Sequence, residues 1–111
     1  MGACYSVVVK AKFNNEEDKE KARLGLKEEI EKHDPRNWCR EENNNLETFE
    51  DCIKVFLASH QRNYYAYEEK GFMFYTSGFN ASYGWEVVLY DMERILKPYL
   101  AKGSKVIIDA D

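Results

Sequence analysis

Phe79-Asn80-Ala81-Ser82-Tyr83-Gly84-Trp85-Glu86 is the stretch on which the fold turns, a compact run of turn, capping and aromatic residues. It leads out of segment 72–79, whose aromatics and hydroxyls read as a strand, and into a helix. Trp85, Val88, Leu89, Met92, Ile95, Leu96, Tyr99 and Leu100 recur at offsets of 0, 3, 4, 7, 10, 11, 14 and 15, which is one helical face. Asn80 or Ser82 supplies the cap, and Glu86 places an acid in the first turn. Pro98 falls in the last turns, where it can kink the helix, and Gly103 fits the left-handed C′ position. Val106-Ile107-Ile108, all apolar, predicts a short strand buried on both faces. A strand–helix–strand crossover of this kind makes its two strands parallel if they share a sheet.

Working outward, Tyr5, Val7, Val9, Ala11 and Phe13 alternate with Ser6, Val8, Lys10 and Lys12, the period of a half-buried strand. Asn14-Asn15 then opens a helix, with Glu16, Glu17 and Asp18 in the first turn, where the helix dipole favours acids. Its apolar stripe of Ala22, Leu26 and Ile30 is thin and predicts a surface helix ended by Asp34-Pro35. Residues 35–45 read as a polar loop anchored by Trp38. Thr48-Phe49-Glu50-Asp51 resembles a capping box, with Asp51 where Glu is usual. Leu46, Phe49, Ile53, Phe56 and Leu57 then give a firm stripe for a second helix stopping near Arg62. Residues 64–67 read as a loop or a short extra strand. The order is β-α-α-β-α-β, an α+β two-layer sandwich with a small mixed sheet, in one domain over residues 1–111.

Composition supports a folded chain: 111 residues, 44% hydrophobic and 14% aromatic. No apolar run reaches the roughly 20 residues of a membrane span, and no signal-peptide pattern is present, so the expected location is cytoplasmic. Residues 14–51 hold 13 acids and 7 bases, a balance of −6, and the remainder holds 7 acids and 9 bases, a balance of +2. Lys10 and Lys12 share a strand face but make only a short basic pair, so no direct nucleic-acid binding is expected. The acidic run reads as a solvated helical face or as a surface for a basic partner.

No chemistry is spelled out by a motif. His33, Cys39, Cys52 and His60 are spaced by 5, 12 and 7 residues, which fits no zinc signature and no Cys–His nucleophile pattern. The acid pairs, such as Glu28-Glu29 and Glu68-Glu69, lie in polar contexts with nothing to shift a pKa. No catalytic residue, metal or cofactor is therefore expected. Met1-Gly2-Ala3-Cys4-Tyr5-Ser6 matches a myristoylation pattern without a second membrane signal, and Asn80-Ala81-Ser82 matches a glycosylation site without secretory context. At the central turn two readings stand. One is a helix N-terminus holding an anion, with Asn80 and Ser82 near it and Tyr83 and Trp85 stacking on a base or ring. The other is a structural turn, preferred because Gly84 is its single glycine. Tyr64, Tyr65, Tyr67, Phe72, Phe74 and Tyr75 form an aromatic band that serves either as core or as a partner surface or homodimer contact.

The runs His60-Gln61, 77–86 with Tyr83-Gly84-Trp85-Glu86 as the most specific part, Lys97-Pro98-Tyr99-Leu100 and Gly103-Ser104 resemble small uncharacterised proteins of phages and mobile elements in Gram-positive bacteria. The resemblance covers somewhat under half of the chain and carries over no catalytic residue. It implies a context, accessory proteins of mobile elements, among which inhibitors of host defence such as anti-CRISPR proteins are common. The expected function is a non-enzymatic inhibitor of a protein partner, a nucleic-acid-binding defence effector, contacted through Glu28, Glu29 and Glu31 and through Tyr64, Tyr65 and Tyr67. The alternative is a small-ligand or nucleotide sponge using the helix start at Ser82–Trp85.

Overall fold

A computed structural model describes residues 3–33, 46–61 and 63–110. Four strands, β1 (Ala3–Ala11), β2 (Tyr65–Glu69), β3 (Phe72–Ala81) and β4 (Lys105–Ala110), form one sheet in the order β2-β3-β1-β4. The described helices are α1 (Glu16–Glu31), α2 (Phe49–Phe56) and α3 (Trp85–Leu96), with short 3-10 turns at Ser59–Gln61 and Lys97–Tyr99. The class is α+β as expected, with the short extra strand present at Tyr65–Glu69.

The sheet is antiparallel throughout rather than mixed. β3 and β4 do run parallel to each other, as the crossover predicts, but β1 inserts between them. β3 likewise separates β1 from β2. These two interleaved split β-α-β units have ferredoxin-like topology. β4 is consequently an edge strand and is not buried on both faces: Ile107 is 47% exposed.

β1 obeys its period of two, with Tyr5, Val7, Val9 and Ala11 buried beneath the helices and Cys4 and Ser6 exposed on the other side. In α1, Asn15 caps the helix by accepting from the Asp18 N–H at 2.8 Å. Its thin stripe of Ala22, Leu26 and Ile30 is buried completely or nearly so, while the other residues of the helix stay partly or fully exposed, as a surface helix requires. A Cβ on Gly25 would lie 2.8 Å from Ile95 Cγ2, so α1 and α3 meet at the glycine. The expected Asp34-Pro35 stop, Trp38, Cys39, the Met1-Gly2 start and Arg62 lie outside the described residues.

The Thr48–Asp51 capping box is present, Thr48 Oγ1 accepting from the Asp51 N–H and Asp51 Oδ2 from the Thr48 N–H, both at 3.1 Å. α2 ends at Phe56, earlier than expected, because side chains from elsewhere take its last carbonyls. Trp85 Nε1 donates to Phe56 O at 3.1 Å, and Ser77 Oγ donates to Leu57 O. Ala58 then turns out of the helix at φ +50. The β2–β3 connection is the two-residue loop Lys70-Gly71, with φ +53 and +84, the signs of a type I′ hairpin.

α3 buries Trp85, Leu89, Met92 and Leu96, as its periodicity predicts, and gives way at Lys97 to a 3-10 turn containing Pro98. Neither Asn80 nor Ser82 caps it. Gly84 is the N-cap, without a side-chain hydrogen bond. Gly103 is left-handed at φ +96, but it serves the turn into β4 and not a helix C′ position, and an added Cβ would stand 3.0 Å from the Phe72 ring.

The α1–α3 contact predicts that Gly25→Ala destabilises the fold despite Ala being the better helix former. Overpacking against the stiff Ile95 branch outweighs a gain of about 1 kcal/mol in propensity, for a net loss of about 1 kcal/mol. Urea denaturation checks this; equal or greater stability would show that the helices do not approach so closely.

Candidate functional site

Strand parity divides the aromatic band. Tyr75 faces the helices, is 1% exposed, and donates to Glu50 Oε1 at 3.1 Å. Burial, reinforced by the Glu50 carboxylate, raises its phenol pKa. Tyr64 precedes β2 and is half-buried; its hydroxyl is buried without a hydrogen-bond partner, and burial beside Glu50 pushes its pKa up to about 12. Tyr65, Tyr67, Phe72 and Phe74 occupy the opposite side of the sheet, which no described element covers.

The register on that open face lays side chains out in rows. Tyr67, Phe74, Lys10 and Lys105 stand side by side across the four strands, and Tyr65, Thr76, Val8 and Ile107 form the next row. Tyr65 is 64% exposed and Tyr67 47%. The Tyr67 and Phe74 rings stack at 5.0 Å and 2°. Lys10 Nζ lies 4.4 Å from the Phe72 ring centroid and Lys12 Nζ 5.9 Å, two cations over one ring. Gly78 opposes Ser6, and a Cβ there would meet nothing within 4 Å, so the space above it is open. Such a surface can stack planar groups and bury apolar ones.

The other expected site residues are placed elsewhere. Trp85, expected to be free for stacking, is 8% exposed with its indole N–H engaged, so it belongs to the core. Tyr5 Oη donates to the Ser82 and Tyr83 carbonyls at 2.9 and 3.0 Å and closes the turn from below. The Asn80 backbone is held on both sides by Gln61, at 2.8 and 3.0 Å, and its Oδ1 accepts from Cys4 Sγ at 2.9 Å. Tyr83, in the turn before α3, is exposed, as are Val87 and Tyr90 on the outside of the helix. Sequence reading missed Val87 and Tyr90 because the inward face alone accounts for the helical period; apolar residues at the complementary offsets were the available signal.

Glu28, Glu29 and Glu31 lie on α1, in the helical layer and away from Tyr65 and Tyr67. Glu29 is largely buried and contacts Lys32 and His33, each at 3.7 Å. Glu28 and Glu31 are exposed but share a groove with Lys27 and Lys32. Glu17 pairs with Lys21 at 3.4 Å, and Glu20 with Arg23. The acidic run is thus interleaved with bases. No cluster of three potential metal ligands occurs among the described residues. Cys52 is fully buried and its thiol is pushed up to about 11, chiefly by burial, which keeps it protonated at neutral pH. No described helix is long and apolar enough to cross a membrane.

The two inward tyrosines should respond oppositely to loss of the hydroxyl. Tyr75→Phe removes the donor to Glu50 and should cost about 1 kcal/mol, whereas Tyr64→Phe removes an unpaired buried hydroxyl and should be neutral or stabilising by up to about 1 kcal/mol. Thermal melts of both variants check this; a large loss in Tyr64→Phe would reveal a partner for its hydroxyl. Compared with protein families, curated proteins and solved structures, the chain matches none of them.

Proposed function

We propose that this chain is a non-enzymatic binding protein whose contact surface is the open face of the sheet and whose partner is a protein. One observation carries the reading: Tyr65, Tyr67, Phe72 and Phe74 share a face that no described element covers. Aromatic rings are enriched in interface cores, where they bury much area for little lost rotamer freedom, and the tyrosine hydroxyls keep such a face compatible with water when unbound. The mobile-element resemblance supplies the class of partner, a nucleic-acid-handling protein of host defence, and the mode of action, inhibition by occupancy.

The sheet face and the α1 acids point away from one another, so one flat interface takes one or the other. The sheet face is favoured because Glu17, Glu20 and Glu29 of α1 are locally paired with lysines and arginine, and Glu28 and Glu31 share their groove with Lys27 and Lys32. Affinity capture from the native host, followed by titration of the purified captured protein, tests this. Tyr65→Ala with Tyr67→Ala should weaken binding about tenfold or more, while Glu28→Lys with Glu31→Lys should change it less than about threefold. The reverse order would move the contact to α1.

A second reading, single-stranded nucleic acid on the same face, is favoured by the two lysines over Phe72 and by Lys105 in the adjacent strand. Bases stacked on aromatic side chains contribute about 1–3 kcal/mol each, with strong salt dependence. Fluorescence anisotropy with labelled single-stranded RNA and DNA decides between the two. Salt-sensitive binding that is lost in Phe72→Ala would replace the protein partner; no binding leaves the protein reading standing. The nucleotide sponge at Ser82–Trp85 lacks its second ring, since Trp85 is in the core.

A further inference from the structure

β4 is an edge strand whose only strand partner among the described residues is β1. An unpaired edge is a template for another strand, and natural edges are usually blunted by charge, by proline or by a covering element. Here Ile107 is 47% exposed in the middle of the edge. The strand Lys105-Val106-Ile107-Ile108-Asp109 is complementary to itself when laid antiparallel. About a two-fold axis at Ile107, Lys105 faces Asp109 of the second copy, Asp109 faces Lys105 of the second copy, and Val106 and Ile108 face each other across the seam. No other antiparallel register of these residues opposes the two charges.

Two further observations point the same way. Lys105 already stands opposite Lys10 on β1, a like-charge cross-strand pair that is unfavourable by itself. An acid on the outer side of Lys105 offsets that repulsion. Beside the strand runs a groove of about 440 Å³, lined by Glu93 of α3, by Lys97 of the following 3-10 turn and by Lys105, Val106 and Ile107, which presents both signs of charge at the same edge. The other edge behaves differently. β2 carries Glu68 and Glu69 and no base, so no self-pairing of that strand opposes unlike charges.

We propose that the chain forms a two-fold symmetric dimer by antiparallel pairing of β4 with β4 of a second copy. The product is one continuous sheet in the order β2-β3-β1-β4-β4-β1-β3-β2, an isologous assembly that closes on itself. Its open face is doubled, with the two aromatic clusters at its far ends, so a partner with two sites would be held bivalently. The pairing concerns the strand edge and does not depend on what the open face binds.

Sedimentation equilibrium of the full chain across micromolar concentrations tests the dimer. The chain should self-associate, and Asp109→Lys, which sets two lysines face to face at each end of the seam, should weaken association about tenfold or more. Combining Lys105→Asp with Asp109→Lys restores opposite charges in the same register and should restore the dimer. Glu68→Lys, on the far edge, should leave it unchanged. A monomeric wild type, an undiminished Asp109→Lys dimer, or a charge swap that stays monomeric while retaining its circular dichroism would each overturn the proposal. The wild-type measurement decides even if a variant fails to fold.

Discussion

The structure depends on β1 being paired along both edges, to β3 and to β4, while the described elements cover only one of its faces. A strand with neighbours on both sides has no freedom of register. Its period of two then commits Val7 and Val9 to the helices and Val8 and Lys10 to the open face. A one-residue slip would put Lys10 under the helices and Val9 in water. Because β3 and β4 are read against β1 residue by residue, the same commitment spreads across the sheet. It sends Tyr75 inward and Phe72 and Phe74 outward.

The helical layer is fastened to that sheet by a few polar contacts made at places where backbone groups would otherwise be stranded. Trp85 and Ser77 take carbonyls at the end of α2, and Tyr5 takes the two carbonyls of the turn before α3. These bonds explain why the chain's most conspicuous turn is structural. Its tryptophan binds the end of a neighbouring helix, and its tyrosine, Tyr83, is left on the surface. What reaches solvent in quantity is the other side of the sheet, where four rings and three lysines share one plane. Function is therefore argued from a surface and not from a pocket, and a fold of this topology by itself says nothing about the ligand.

Much of this was legible in the chain. The α+β class, the inward stripe of α3, the Asn15 cap and the Thr48–Asp51 box follow from local chemistry, and local chemistry is what a sequence displays. Most of the misreadings share a cause, a partner distant along the chain. Val106-Ile107-Ile108 looks buried until β1 is known to sit between it and β3, which makes it an edge. The role of Gly25, off the α1 stripe, is hidden until Ile95 of α3 is known to approach it. α2 stops early because Trp85 and Ser77 lie beyond its end. The aromatic band could be core or surface until pairing with β3 assigned Tyr65 and Tyr67 their face. Of the expected contact residues, Tyr65 and Tyr67 are brought together on one surface, while Glu28, Glu29 and Glu31 lie on another layer.

The division of the rings by strand parity underlies both the fold and the proposed contact surface. Photochemically induced dynamic nuclear polarisation reports it directly, because only rings that a dissolved dye can touch are enhanced. Tyr65 and Tyr67, which are 64% and 47% exposed, should polarise strongly, and Tyr5, Tyr75 and Trp85 should be silent. Enhancement of Tyr75 or Trp85, or silence from both Tyr65 and Tyr67, would show that the rings are not divided in this way.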